Sequence, residues 1–302
     1  MIWQIFHGFC MALADSVPGV SGGTVAYILG FYERFISALD DLFSGSMRER
    51  RDALLYLIKL GLGWVIGMVA SMLVLSKLFE SNIYFLTSVF LGLTCAALPF
   101  VANEEKDVIK GHERNWPFFF VGLVLVCGMV LVRDVVASSV AIHFDALTLF
   151  QYVHVFLSGA LAISAMVLPG VSGSTVLLIT GVYIPTINAF SKVLHLQLDF
   201  LPGLLALVVG IVCGAAISVR FLKKALAHHR SAMVFFILGL MAGSLYAIIM
   251  GPTTMDDGQA PLTMDTFSLF AFLIGIAILI ALERIKIVGQ RRDAEMEELL
   301  KY

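Results

Sequence analysis

Charged side chains are scarce in this sequence of 302 residues: Asp, Glu, Lys and Arg together make up 14% of it, against about 25% in typical soluble domains. Hydrophobic residues make up 59%, and the mean hydropathy is +0.93. The formal net charge of -2 and the lack of a large basic cluster argue against a nucleic-acid partner. The scarcity of charge therefore excludes an ordinary soluble domain. It indicates an integral membrane protein with roughly six to eight spanning or re-entrant segments.

Cysteine is equally rare, and each of the four lies within an apolar stretch: Cys10, Cys95, Cys127 and Cys213. None stands in a C-x-x-C or Cys/His pattern typical of a metal site, so we expect no metal and no cofactor. The sequence also shows no acidic cluster for a catalytic metal, no recognisable Ser-His-Asp order and no setting for a cysteine nucleophile. We therefore expect a protein that is not an enzyme, with a membrane lipid phosphatase or transferase as the less favoured reading.

Six apolar stretches have the length of about 20 residues that a helix needs to cross a bilayer. Only one of them is interrupted by a charge, Lys59, which we expect to reach towards the membrane surface. The sequence thus predicts an all-α polytopic membrane protein. Its predicted full spans are 54–75, 83–102, 116–132, 201–219, 232–250 and 266–282.

Two further apolar regions, 1–32 and 152–191, are interrupted by Pro and Gly at 15–23 and 169–174. Proline removes a helix hydrogen bond, and glycine favours non-helical backbone. The arm before the first break has about 14 residues, or about 21 Å of helix, which is too short to cross the membrane comfortably. We therefore predict two re-entrant hairpins, each a helix, a break and a second helix that leaves on the side it entered.

The charges of the connecting segments support this topology. Basic residues are concentrated around 48–51, 103–115, 222–231 and 284–292, whereas 135–151 and 251–265 contain none. Because cytoplasmic segments are enriched in Lys and Arg, the first four are predicted to be cytoplasmic and the last two to lie outside. This alternation requires both broken regions to be re-entrant, so both termini are predicted to be cytoplasmic.

The two broken regions also match each other. Residues 18–25 (PGVSGGTV) align with residues 169–176 (PGVSGSTV) at an offset of 151, and later glycines align at an offset of 147, namely Gly63/Gly210 and Gly67/Gly214. Two such matches in the same order predict a duplication, with a first repeat at 1–150 and a second at 151–302. Three full spans in each half would place the second repeat upside down relative to the first, as in many transporters. Glycine-rich helix packing alone explains the small residues, but not two matched breaks.

Each break is predicted to bind an anion, phosphate above all. Helix N-termini present free N–H groups, glycines let a ligand approach them, and Ser or Thr hydroxyls can cap the helix or donate to the ligand. Arg34, just after the first break, is a candidate cation with an interfacial anchor as its alternative role, and Arg133 and Arg220 are further candidates. The candidate phosphate- or lipid-binding residues in the breaks are Ser16, Pro18, Gly19, Ser21, Gly22, Gly23, Thr24, Pro169, Gly170, Ser172, Gly173, Ser174 and Thr175.

Asp15 precedes the first break and has no acidic counterpart, because Met166 stands at the matching position. A carboxyl group at membrane depth is a functional candidate by default. Desolvation favours its protonated form, which would suit a proton carrier coupled to transport. The alternative is a structural cap for the break, and the sequence leaves both readings open.

The strings at 14–24 (ADSVPGVSGGT) and 165–174 (AMVLPGVSGS) resemble those of the bacterial polyprenyl-phosphate translocases of the PopT type. The resemblance covers essentially the whole chain. It implies a flippase in the bacterial cytoplasmic (inner) membrane that returns undecaprenyl phosphate from the outer to the inner leaflet for peptidoglycan and surface-glycan synthesis. It also implies undecaprenyl phosphate and membrane lipids as partners, with homo-oligomerisation left open.

One alternative has the same anion site but a different cargo. A secondary transporter for a small soluble anion would use the two breaks in the same way, within a sealed aqueous path. The sequence does not separate this alternative from a lipid translocase, and it leaves the energy coupling open.

Overall fold

The computed structural model describes residues 2–16, 20–137, 142, 144–254 and 259–299. Within these residues the secondary structure is entirely helical, which confirms the predicted all-α class. The helices are α1 (Ile2–Asp15), α2 (Gly22–Ile28), α3 (Tyr32–Ser44), α4 (Met47–Glu104), α5 (Lys106–Ile109), α6 (Trp116–Ala137), α7 (Leu149–Met166), α8 (Gly173–Ile179), α9 (Tyr183–Leu194), α10 (Leu201–His228), α11 (Arg230–Ile249) and α12 (Leu269–Leu299).

Six helical segments of the described chain are long and apolar enough to cross a membrane: Met47–Ser71, Asn82–Glu104, Glu113–Val132, Leu149–Met166, Leu198–His228 and Arg230–Ile249. Five of them coincide with predicted spans, and the predicted number of six agrees. The sixth is α7, which the sequence assigned to the first arm of the second hairpin. The predicted span 266–282 corresponds to the start of α12, where Glu283 follows after only 14 apolar residues from Leu269. That stretch is about 21 Å long, shorter than the hydrocarbon core.

Helix α4 contains two of the predicted spans, joined across a kink. It begins with a capping box, in which the Ser46 side chain accepts the Glu49 N–H and the Glu49 carboxylate accepts the Ser46 N–H. At Asn82 the backbone leaves helical geometry (φ -147°, ψ 47°), and the helix kinks. The predicted spans 54–75 and 83–102 lie on either side of this kink.

Both predicted helix breaks are present. The first separates α1 from α2, and the second separates α7 from α8. Two residues after the end of each short helix lies a glycine with positive φ, Gly30 at 73° and Gly181 at 70°, a conformation that glycine adopts without steric cost. A third helix follows in each case, and α9 is bent by 103° from α8. The sequence predicted the breaks but not these additional turns.

Close helix packing recurs at matching positions of the two halves. In the first half, Gly63 of α4 packs directly against the carbonyl oxygen of Ile5 in α1; in the second, Gly210 of α10 packs against that of Phe156 in α7. Ile5 and Phe156 are 151 residues apart, and Gly63 and Gly210 are 147 residues apart, which are the offsets at which the two halves align. Any side chain at either glycine would collide with the facing backbone, so small residues are required for this close approach.

The last helix of each half packs on the other half. Gly92 of α4 contacts the carbonyl oxygen of Phe272 in α12, and Gly239 of α11 contacts that of Phe119 in α6. The halves are therefore interlocked rather than side by side. Such recurring contacts are what a duplicated chain would produce, whereas the inverted orientation and the boundary at 150/151 stay predictions.

Candidate functional site at the two helix breaks

The two breaks lie far apart in sequence but contact each other in the interior. The Gly170 N–H donates a hydrogen bond of 2.8 Å to the Thr24 hydroxyl, and the Ser21 hydroxyl lies 3.4 Å from the Leu168 carbonyl oxygen. A Cβ atom at Gly23 would lie 3.3 Å from the Leu168 carbonyl and the Pro169 nitrogen. The structure thus unites the residues that the sequence selected from two separate motifs.

Tyr32 adds a further connection between the halves. It begins α3, is 2% exposed, and donates a 2.8 Å hydrogen bond from its hydroxyl to the Val167 carbonyl oxygen. This carbonyl belongs to the second break, where backbone groups lack helical partners and need another donor. Tyr32 is not among the candidate residues selected from the sequence, so its role in holding the breaks together was missed.

The first break is closed by an acidic side chain. One Asp15 carboxylate oxygen accepts the Gly22 N–H at 2.7 Å, and the other accepts the Trp64 indole N–H at 3.0 Å. The Gly23 N–H donates to the Ser21 hydroxyl at 3.2 Å. The first amides of α2 are therefore already paired, and Asp15 occupies the position in which a capping residue stabilises a helix N-terminus. Trp64 was not predicted, although a buried indole N–H does require an acceptor.

The second break is more open. The N–H groups of Gly173, Ser174 and Thr175 have no hydrogen-bond partner in the part of the chain that the structure describes. The Ser172 and Ser174 hydroxyls bond to each other at 2.7 Å. Residues 172–175 are half-buried, whereas 20–25 are fully buried. Met166 replaces the capping carboxylate, so the two breaks differ in chemistry although their sequences match.

A narrow cleft opens beside the second break. It is lined by Ser172 and Thr175 on one side and by Val126, Val130 and Ala247 of α6 and α11 on the other, and it holds about 10 Å³, the space of roughly one water molecule. Two hydroxyls thus lie at one edge of an otherwise apolar surface. This arrangement suits a ligand with a polar head and an apolar chain.

The glycines of the breaks also serve packing. Gly170 has φ +86°, and a Cβ atom there would lie 2.7 Å from the Leu240 carbonyl carbon. At Gly173 a Cβ atom would lie 3.0 Å from the Ala162 oxygen, and at Gly22 it would lie 2.7 Å from the Asp15 carboxylate. A side chain at these positions would therefore displace backbone or the capping carboxylate even in the absence of a ligand.

Other predicted residues lie elsewhere. The Ser16 hydroxyl donates to the Ala12 carbonyl oxygen of its own helix at 2.7 Å. Pro18 and Gly19 lie outside the described residues, as does the side chain of Arg133. Arg34 is exposed and lies over the Tyr56 ring, and no described hydrogen bond or ion pair joins it to either break. The structure therefore does not bring the candidate cation to the candidate anion site.

Ion pairs join α3 and the residue after α4 to the second half. Arg230 of α11 pairs with Glu33 of α3 at 2.8 Å and with Glu105 at 3.0 Å, and Glu105 also accepts the Tyr27 hydroxyl at 3.0 Å. Arg220, another candidate cation, pairs with Asp40 at 3.8 Å. The sequence missed this network because each partner comes from a different helix.

No group of three His, Cys, Asp or Glu residues within the described chain is arranged to hold a metal ion. Apart from the Asp15 carboxyl group, which accepts hydrogen bonds, the side-chain polar groups at the breaks are hydroxyls, and these and the backbone amides can donate hydrogen bonds to anions.

The helical fold and the paired breaks define a multi-pass membrane protein organised around interrupted helices, an architecture used by many transporters. The chain belongs to the undecaprenyl phosphate translocase-like family, whose sequence profile matches residues 11–265. This match confirms the family that the motif resemblance indicated.

Two relatives extend the match over most of the chain. A polyprenyl-phosphate transporter of Staphylococcus aureus is 32% identical over 287 residues, which cover 93% of this chain and 96% of the relative. A polyprenyl-phosphate transporter of Vibrio cholerae is 31% identical over 288 residues, which cover 88% of this chain and 85% of the relative. No solved structure matches the chain.

Proposed function

We propose that this protein translocates undecaprenyl phosphate from the outer to the inner leaflet of the bacterial cytoplasmic membrane, recycling the carrier lipid for peptidoglycan and surface-glycan synthesis. Both relatives are named polyprenyl-phosphate transporters. The observation that carries the proposal is the direct contact between the two breaks, in which the Gly170 N–H donates to the Thr24 hydroxyl. Irregular backbone at membrane depth is tolerated where it lines a cavity or is buried in protein.

The phosphate is proposed to bind first at the second break. The hydroxyls of Ser172 and Thr175 line the cleft, and the amides of Gly173, Ser174 and Thr175 have no partner in the described chain. An apolar cleft wall beside these donors lets an isoprenoid chain stay in contact with lipid while the head group binds. In the first break, Asp15 occupies the helix N-terminus, so the phosphate gains access there only after this carboxylate moves.

The proposal includes an inverted arrangement of the two repeats, with both termini in the cytoplasm. An inverted pair presents one break towards each side of the membrane, and alternating exposure of the two breaks would move the head group between leaflets. The recurring contacts Gly63–Ile5 and Gly210–Phe156 support a common ancestry of the halves.

A leaflet-resolved assay in proteoliposomes tests this function. Wild-type protein is expected to move labelled undecaprenyl phosphate between leaflets, whereas Gly22→Leu and Gly173→Leu are expected to abolish movement and leave some folded protein. If both variants transport at the wild-type rate, the breaks are not the phosphate path.

The same preparation separates the alternative cargo and chemistry. Uptake of soluble phosphate into the vesicles without lipid movement would identify an anion transporter instead. Release of inorganic phosphate from the lipid would identify a phosphatase. Lipid movement without either is the expected result.

A further inference from the structure

The Arg34 side chain forms a cation–π contact that leaves its donors available. Its guanidinium carbon lies 4.8 Å from the centroid of the Tyr56 ring. The residue is exposed, and within the described chain no hydrogen bond or ion pair engages its guanidinium group. A guanidinium that stacks on an aromatic face keeps its N–H groups directed outward in its own plane, ready for a phosphate or carboxylate.

Tyr56 supplies a second polar group at this place. The residue is 6% exposed, and its hydroxyl has no hydrogen-bond partner among the described residues. A buried hydroxyl without a partner is costly and uncommon, and calls for a ligand, an ion or a water molecule. Because the ring centroid lies 4.8 Å from the Arg34 guanidinium carbon, the unpartnered hydroxyl and the guanidinium belong to the same place on the protein.

Lys59 places another positive charge on the same side of α4. It follows Tyr56 by three residues, which puts the two side chains on one face of the helix. It is half-buried, and the described chain contains no carboxylate paired with it. Two cations and a hydroxyl match the charge and acceptors of a phosphate monoester.

The second half has no equivalent of this cluster. At the matching offsets, Pro185 stands for Arg34 and Gly203 for Tyr56. The Phe144 ring occupies the space that a side chain at Gly203 would need, since a Cβ atom there would lie 2.6 Å from Phe144 Cδ1. The cluster is therefore a feature of one end of the protein and not a product of the repeat.

The surroundings indicate an amphiphilic ligand. On α4 exposed apolar residues surround Tyr56 in sequence, with Leu55, Ile58 and Leu62 each 45% exposed or more. These side chains face the lipid if α4 spans the membrane. Trp64, which bonds Asp15 at the first break, lies eight residues further along the helix, about 12 Å away. The cluster is thus separate from the breaks and close to the start of the lipid-facing surface.

We propose that Arg34, Tyr56 and Lys59 form a docking site for the phosphate monoester head group of a polyprenyl lipid at one end of the protein. The inference rests on the proposed function, since it takes the same lipid as ligand. The lipid exchanges with the bilayer at this site, with its chain along α4, before or after its head group passes the breaks. Because the site exists in one half only, the two ends of the path hold the head group with different affinity.

Binding of a fluorescent short-chain polyprenyl phosphate to the full chain in nanodiscs tests the site. Arg34→Gln is expected to raise Kd about tenfold or more, because it removes charge-assisted hydrogen bonds. Tyr56→Phe is expected to raise Kd less, about three- to tenfold, without lowering the melting temperature, since the hydroxyl has no protein partner in the described chain. Arg48→Gln, an exposed residue at the start of the same helix, is the matched control and is expected to bind as wild type.

Competition identifies what the site recognises. Inorganic phosphate is expected to displace the probe from wild type. It is not expected to weaken the residual binding of the probe to Arg34→Gln. A neutral polyprenol is expected to displace the probe from both proteins. If the polyprenol competes and phosphate does not, the protein recognises the chain alone and the docking site is wrong.

The outcome is separable from that of the proposed function. Wild type that neither binds nor moves the lipid contradicts the function itself. If wild type binds and moves the lipid, and Arg34→Gln and Tyr56→Phe have the same Kd as wild type, the proposed docking site is wrong and the proposed function stands.

Discussion

At the scale of single residues, the main difference between the two breaks is the group that meets the helix N-terminus. Asp15 accepts hydrogen bonds from Gly22 and Trp64 in the first break, whereas Met166 offers no such acceptor in the second. A carboxyl side chain already satisfies one break, and an apolar one leaves the other available. Nearly identical motifs can therefore act differently in transport.

The hypothesis of proton coupling by Asp15 leads to a prediction at this scale. Asp15→Asn is expected to bind lipid phosphate but to lose the response of transport to an imposed pH gradient, because the side chain can no longer exchange a proton. The measurement is leaflet-resolved transport in proteoliposomes with and without the gradient.

Trp64→Phe is the matched control for this experiment. It removes the hydrogen bond to Asp15 without changing a titratable group. If Asp15→Asn responds to the gradient like wild type, Asp15 is a structural cap and the coupling hypothesis fails.

Between helices, ion pairs fix relative positions that insertion into the membrane does not determine. Glu105 receives hydrogen bonds from both Arg230 and Tyr27, and its side chain is 11% exposed. Lys223 of α10 bonds Asp40 of α3 at 2.9 Å. Helix α3 and the residue after α4 are thereby attached to the second half.

The second prediction concerns this attachment. Arg230→Met is expected to lower the free energy of unfolding by roughly 1–3 kcal/mol, because it leaves the poorly exposed Glu105 carboxylate without its cation. Glu33→Gln is the control: its side chain is 62% exposed, so its loss is expected to cost less than about 1 kcal/mol. Thermal unfolding of purified protein in detergent measures both, and equal effects would show that burial of Glu105 does not matter.

At the scale of the whole molecule, the two halves are interlocked. At Gly92 and at Gly239, the backbone of a helix from the other half packs directly against the glycine. Motion of one half against the other must therefore either keep these contacts or exchange them together. A coordinated two-state change follows more naturally from such packing than independent movement of two domains.

Topology provides the third prediction. Because 251–265 contains no Lys or Arg, a single cysteine placed at residue 257, which lies outside the described residues, is expected to react with a membrane-impermeant reagent from the outer side. The four natural cysteines are first replaced. Labelling of this position only from the cytoplasmic side would exclude the inverted-repeat arrangement.

Much of the fold could be predicted from the sequence, because partition into lipid and helix interruption are properties of short segments. Apolar length predicted five of the six spanning helices, and Pro and Gly predicted both breaks. The sequence assigned α7 to a short arm and 266–282 to a full span, whereas by length and composition α7 qualifies as a span and α12 has 14 apolar residues before Glu283. Which of these two helices crosses the membrane stays a prediction. The turns at Gly30 and Gly181 depend on where each short helix ends.

The sequence by itself determined the membrane class, the two breaks and their repetition, since these depend on composition and local backbone preference. Only the tertiary structure decided which break is capped and which is open. It alone placed Thr24 against Gly170, Trp64 against Asp15 and Arg34 over Tyr56. These pairs are separated by 22 to 146 residues, and no local preference specifies a partner at such a distance. Their choice follows from the packing of whole helices, which brings particular polar groups together where water is excluded.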